Sequence, residues 1–144
     1  MLRRVELGAG IAAGALAVLG FVALLFAPLP TCAVAVPSNG KCPASAVRYA
    51  TLTQLNLETG AWLYLLALVA LLLVGAAGAI AEARFGQPRG AAALWVGLVL
   101  GFTACAFSAL GAGLFFLPAL LALALAGYAS LLRRMRARRT SPET

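Results

Sequence analysis

The chain has 144 residues, 63% of them hydrophobic, and carries eleven Lys and Arg against four Glu, for a net charge of +7. Soluble domains are roughly 45–50% apolar, so this composition excludes a water-soluble core and makes the chain an integral membrane protein. There is no Asp and no His, which removes the usual proton shuttles, metal ligands and triad members; neither an enzyme nor a cofactor is expected.

Residues 5–28 form the first apolar stretch, preceded by Arg3 and Arg4 and charged only at Glu6. A hydrocarbon core of about 30 Å needs about 20 helical residues, so this is a first spanning helix. Ala33-Val34-Ala35 has the form of a signal-peptidase site and Cys32 that of a lipidation site. Signal-peptide apolar regions are only about 7–15 residues long, and Pro30-Thr31 stand where a lipidation site has small residues, so a retained helix is the reading taken.

Residues 30–60 are the only long polar loop. Pro28, Pro30, Pro37 and Pro43 break helices, and Pro37-Ser38-Asn39-Gly40 is a turn signal. Cys32 to Val36 is strand-like, and Val47, Tyr49 and Thr51 alternate after the turn. The loop reads as a small hairpin pinned by a Cys32–Cys42 disulfide, with an interfacial helix over 44–57 as the rival. Such a staple contributes about 2–3 kcal/mol in the chain-entropy model. The C-x-x-C spacing of redox-active pairs is absent.

Residues 61–83 make the second spanning helix, with Trp62 and Tyr64 at headgroup level at one end and Glu82 and Arg84 at the other. Residues 91–132 then run without a charge. As one helix they would reach about 63 Å, twice the hydrocarbon thickness; two helices, about 91–110 and 114–132, folded back at Gly111-Ala112-Gly113, fit instead. Pro118 is expected in the first turn of the last helix, where its missing N–H costs little. Residues 133–144 form a basic tail. The fold expected is an all-α bundle of four transmembrane helices with one outer loop of about 30 residues, in a single membrane domain.

Placing both termini in the cytoplasm puts Arg3, Arg4, Arg84, Arg89, Arg133, Arg134, Arg136, Arg138 and Arg139 inside, and only Lys41 and Arg48 outside. That bias follows the positive-inside rule and leaves the cysteine loop on the oxidising side, where a disulfide persists. The Ala, Leu, Gly and Arg bias with a single Lys reads as bacterial, so the compartment expected is the inner membrane. No basic stripe is interleaved with aromatics, as single-strand binding needs, so no nucleic-acid partner is expected. The two halves, 1–60 and 61–144, share no repeat of the kind common in transporters.

Gly10 and Gly14 on the first helix and Gly97 and Gly101 on the third, with Gly75 and Gly78 on the second, allow close helix approach, within the bundle or against a partner. Arg133, Arg134, Arg136, Arg138 and Arg139 read as contacts to anionic lipid headgroups, each worth about 1 kcal/mol near the surface. Glu6 and Glu82 read as interfacial charges paired with their sequence neighbours, Arg3 and Arg4 for the first and Arg84 and Arg89 for the second. Thr103, Ser108, Tyr128 and Ser130 are the few polar groups in mid-membrane, and hydroxyls there back-bond to their own helix. Cys105 reads as a small buried hydrophobe.

The layout of four helices, a long disulfide-bearing first outer loop and short later loops resembles claudin-like proteins in architecture, although this loop has no Trp. It is similar in outline to bacterial disulfide-generating membrane proteins, without their C-x-x-C, and to small multidrug transporters, without a carboxylate between Ala15 and Gly20. The function expected is that of a small accessory or structural membrane protein, packed against a larger complex or a second copy. The alternatives are a small transporter or channel, marked by a carboxylate lining a cavity, and thiol–disulfide exchange through Cys32 and Cys42.

Overall fold

The structure, a computed structural model, describes residues 2–32, 47–54, 59–107 and 113–140. Its elements are helix α1 (Leu2–Phe26), strands β1 (Leu29–Cys32) and β2 (Val47–Ala50), and helices α2 (Thr59–Phe85), α3 (Pro88–Phe107) and α4 (Gly113–Thr140). All four helices are long and apolar enough to cross a membrane. At 1.5 Å per residue even α3, with 20 residues, reaches about 30 Å.

The helix ends follow local chemistry. Helix α1 stops two residues before Pro28, which disfavours helix for its predecessor. Gly86 ends α2 in the left-handed region, at φ 66°, and its N–H donates to the Glu82 carbonyl at 2.9 Å, an αL cap that glycine enters without strain. Pro88 then opens α3 at the position where its missing N–H costs nothing.

Two sequence expectations for α4 are corrected. The helix does not end near residue 132 but continues to Thr140. Residues 133–139 are Arg, Met and Ala, all strong helix formers, and cations are favoured at a helix C-terminus. Pro118 is the sixth helical residue, in the second turn rather than the first; it withholds one hydrogen bond from the Leu114 carbonyl.

The strands pair antiparallel, Leu29 with Ala50 and Cys32 with Val47. A ladder at Val47–Ala50 rules out a continuous interfacial helix over 44–57. Residues 33–46, including the expected strand to Val36 and Cys42, lie outside those described. Leu52, 5% exposed, anchors the far end of the hairpin in the core, with Leu29 packed partly against it.

In the bundle α1 packs between α2 and α4, and α3 completes the ring beside α2; the α3–α4 seam is the loosest of the four. The core is made of Ala and Leu: Ala13, Ala17, Leu24, Leu72, Leu94, Phe116, Leu123 and Ala126 are fully buried. Tyr64 ties the start of α2 to the end of α3 by donating to the Ala104 carbonyl.

The glycines expected to mediate close packing all face the interior of the bundle. A Cβ on Gly97 would lie 2.6 Å from the Gly75 Cα, and one on Gly78 2.6 Å from the Gly90 carbonyl oxygen, so α2 and α3 cross backbone to backbone. A Cβ on Gly10 would lie 3.0 Å from that of Ala79, and Gly101 is covered by Leu72 and Leu120. Gly14 is looser, with Ala76 at ordinary contact distance, 3.5 Å.

A buried charge cluster at the basic end of the bundle

The N-terminus of α1, the α2–α3 turn and the C-terminal turns of α4 meet at one end of the bundle. On α4, Ser130, Arg133 and Arg134 stand at i, i+3 and i+4 and so share a helix face. Opposite them are Glu6 near the start of α1 and Glu82 near the end of α2. Both carboxylates are buried, at 0% and 2% exposure.

Glu82 Oε1 collects four donors, all from α4. Ser130 Oγ donates at 2.7 Å, Arg133 Nη2 at 3.1 Å, Arg134 Nε at 3.1 Å and Arg134 Nη2 at 2.9 Å. Arg133 Nη2 also reaches Glu6, 3.5 Å from Oε1 and 3.4 Å from Oε2. Arg133 is therefore the bridge between the two carboxylates, while Oε2 of each accepts no hydrogen bond among the described residues. Removing two carboxylates from water costs several kcal/mol each, recovered only with good pairing. Two guanidiniums against two carboxylates supply that pairing for Glu82 and only partly for Glu6.

Arg3 completes this end differently. Its Nε donates to the Ala83 carbonyl and its Nη2 to that of Arg84. These are last-turn carbonyls of α2 that have no partner within the helix. Three helices are thus tied together by side chains whose sequence positions are far apart.

The expected local pairings are corrected accordingly. Glu82 is paired with Arg133 and Arg134 rather than with Arg84 and Arg89, and Glu6 with Arg133 rather than with Arg3 or Arg4. Both carboxylates are covered by the helices around them. Thr103 back-bonds to the Val99 carbonyl at 2.8 Å, as expected, whereas Ser130 turns to Glu82. Ser108 lies outside the described residues, and Tyr128 is exposed.

A wide-mouthed cavity of about 510 Å³ opens beside the cluster, lined by Glu82, Gly86, Pro88, Arg133, Arg134 and Ala137. Arg133 is 29% and Arg134 51% exposed, so one side of each guanidinium is buried against carboxylate and the other is open. At the opposite end an apolar groove of about 320 Å³ runs along the α3–α4 seam, with Cys105, Phe102, Leu117 and Leu121 among its walls. Arg136 is exposed, and Arg138 and Arg139 continue the helix. Among the described residues no group of three or more Cys, Asp or Glu side chains is placed to hold a metal ion.

Sequence reasoning missed the convergence of Ser130, Arg133 and Arg134 on Glu82. The i, i+3, i+4 spacing was available as a signal; the partner, some fifty residues away, was not. No family model matches the chain, and no curated protein or solved structure matches it either.

Proposed function

We propose that this chain is a small structural or interaction subunit of a membrane assembly, with both termini cytoplasmic and the hairpin outside. The observation that carries this reading is the dryness of the interior. Among the described residues the buried polar side chains are Glu6, Glu82 and Ser130, all at the basic end. Between them and the hairpin the buried side chains among the described residues are Ala, Leu, Phe and Cys, with close-packed Gly. An intramembrane ionisable residue is by default a functional candidate, but a pathway needs polar groups in succession. Here the charges cross-tie α1, α2 and α4 instead.

With the Gly faces used inside the bundle, a partner would meet the outward faces of Leu, Val and Phe, the hairpin, or the arginine-rich end of α4, which anionic headgroups attract at about 1 kcal/mol per residue. A Cys32–Cys42 disulfide belongs to the same proposal. Cys32 closes the described end of the β1–β2 ladder, so a bond to Cys42 would hold the outer loop against that ladder. Crosslinking in cells, mild solubilisation and mass spectrometry of unreduced peptides test both parts. The expected result is a stoichiometric membrane partner or a homodimer, together with a Cys32–Cys42 peptide. A crosslink-free monomer would remove the subunit reading, and unlinked loop thiols would remove the staple and with it thiol–disulfide exchange.

Transport is the second reading, because Glu82 lines a cavity open at the bundle end. It requires water to continue past the cluster into the Leu72–Leu94–Leu123 layer.

A further inference from the structure

We infer that the cavity between the α2–α3 turn and the last turns of α4 seats the phosphate group of a membrane phospholipid. This goes beyond a general attraction of the basic tail for anionic membranes, and it holds whether the bundle is a scaffold or a transporter.

The donors are the first part of the case. A guanidinium carries five N–H groups in a fixed fork. Arg134 uses its Nε–Nη2 edge on Glu82, and Arg133 uses only Nη2, on Glu6 and Glu82. Arg133 Nε and Nη1 and Arg134 Nη1 are left without an acceptor among the described residues. Both side chains line the cavity and both are partly exposed. The carboxylates behind them do more than neutralise. They fix the inner edge of each guanidinium, so the outer donors are oriented before any ligand arrives, which lowers the ordering cost of binding.

The surroundings supply the second part. Seven described arginines, Arg3, Arg4, Arg84, Arg89, Arg133, Arg134 and Arg136, lie at this end against two glutamates, so the potential over the cavity favours an anion. Pro88 on the rim places the start of α3, with its positive dipole end, at the same space; the Gly90 N–H is already given to the Gln87 carbonyl at 3.0 Å, so the arginines are the donors. Gly90 makes that placement possible: a Cβ there would lie 2.8 Å from both the Glu82 amide nitrogen and the Gly78 carbonyl oxygen.

Depth decides the source of the phosphate. The apolar span of α4 runs Gly113–Ala137, so Arg133 and Arg134 occupy its last turns, at the level where headgroup phosphates meet hydrocarbon. Arginine forms planar, two-pronged bonds to phosphate, and a lipid phosphate reaches this site from the side without leaving the membrane.

The test is native mass spectrometry of the purified protein after exchange into mixtures of phosphatidylglycerol, phosphatidylethanolamine and a phosphate-free diacyl glycolipid. Both phospholipids should be retained over the glycolipid, by about tenfold or more for two charge-assisted contacts. Ala137→Glu puts an acid on the cavity wall one turn from Arg133 and Arg134, where it competes for their outer donors; it should abolish that preference in a protein that still folds, while Ala137→Gln keeps it. Arg84→Gln with Arg89→Gln removes two charges outside the cavity lining and should leave retention close to the parent. Equal retention of phospholipid and glycolipid, or full phospholipid retention in Ala137→Glu, would overturn the proposal. So would loss in the Arg84/Arg89 variant as large as in Ala137→Glu, which would assign the effect to diffuse charge. Displacement of the phospholipid by millimolar inorganic phosphate would identify a free anion as the ligand and reject the lipid as occupant.

Discussion

Glu82→Ala is expected to destabilise the bundle by about 3–5 kcal/mol, the cost of breaking a buried ion pair from one side. It removes the acceptor that serves Ser130, Arg133 and Arg134 together. Arg134, half exposed, can turn its charge into water; Arg133 and Ser130 are held between helices and cannot do so freely. Glu82→Gln keeps one acceptor oxygen and loses the charge, so it should fall between parent and Ala. Arg134→Ala should cost only about 1 kcal/mol, close to a surface pair. Denaturant titration of the purified protein, followed by tryptophan fluorescence, gives these differences. In a double-mutant cycle of Glu82→Gln with Arg133→Gln, the coupling should exceed about 1 kcal/mol. Equal and small losses for Glu82→Ala and Arg134→Ala would mean that the cluster does not hold the helices together.

Gly97→Leu should have a comparable effect for a different reason. The new Cβ would meet the Gly75 Cα at 2.6 Å, the Leu71 carbonyl oxygen at 2.8 Å and the Gly75 amide nitrogen at 2.9 Å. These are backbone atoms, so no rotamer change relieves the clash and α2 and α3 must separate. Overpacking a well-filled core costs about 1–3 kcal/mol, and more where backbone must move; about 3 kcal/mol or more is expected here. The readout is loss of the folded monodisperse peak on size exclusion, with a fall in melting temperature. Gly14→Ala, facing Ala76 at 3.5 Å, should be nearly neutral, and Gly8→Ala, with nothing within 4 Å, neutral or slightly stabilising. A Gly97→Leu protein that folds normally but loses a partner would return this glycine to an external face.

The four helices were legible because their signal is one-dimensional. Uninterrupted apolar length fixes a span, and the charge-free run 91–132 has only one folding that keeps its flanking arginines on one side. Helix ends were less legible. A tail of seven Arg, Met and Ala residues reads as a polar tail on charge and as helix on propensity, and α4 follows propensity through Thr140. The glycine positions were readable, but not which neighbour each one meets: Gly97 lies against Gly75 because α2 and α3 form a tight antiparallel pair, a property of the pair and not of either segment. The charge cluster was the least legible. Glu6 and Glu82 each stand beside arginines in sequence, and local pairing is the economical reading. In the fold, Arg3 is drawn to the open carbonyls at the end of α2, and the carboxylates turn inward to α4. A mid-helix Ser130 three residues before two arginines was the one local hint, and it names a helix face without naming the partner.

Water access along the core tests most directly the claim that the charged groups tie the bundle together and do not open a path across it. In a background without the three native cysteines, single cysteines at Ala137, Ser130, Leu94, Leu72 and Leu24 are exposed in intact cells and in inverted vesicles to a membrane-impermeant thiol reagent. The expected result is labelling of Ala137→Cys from the cytoplasmic side alone, with Leu94→Cys, Leu72→Cys and Leu24→Cys unreactive from either side. Rapid labelling of Leu94→Cys or Leu72→Cys would contradict it, because it would place water in the layer that is closed by Leu72, Leu94 and Leu123 and would make Glu82 the mouth of a conduit.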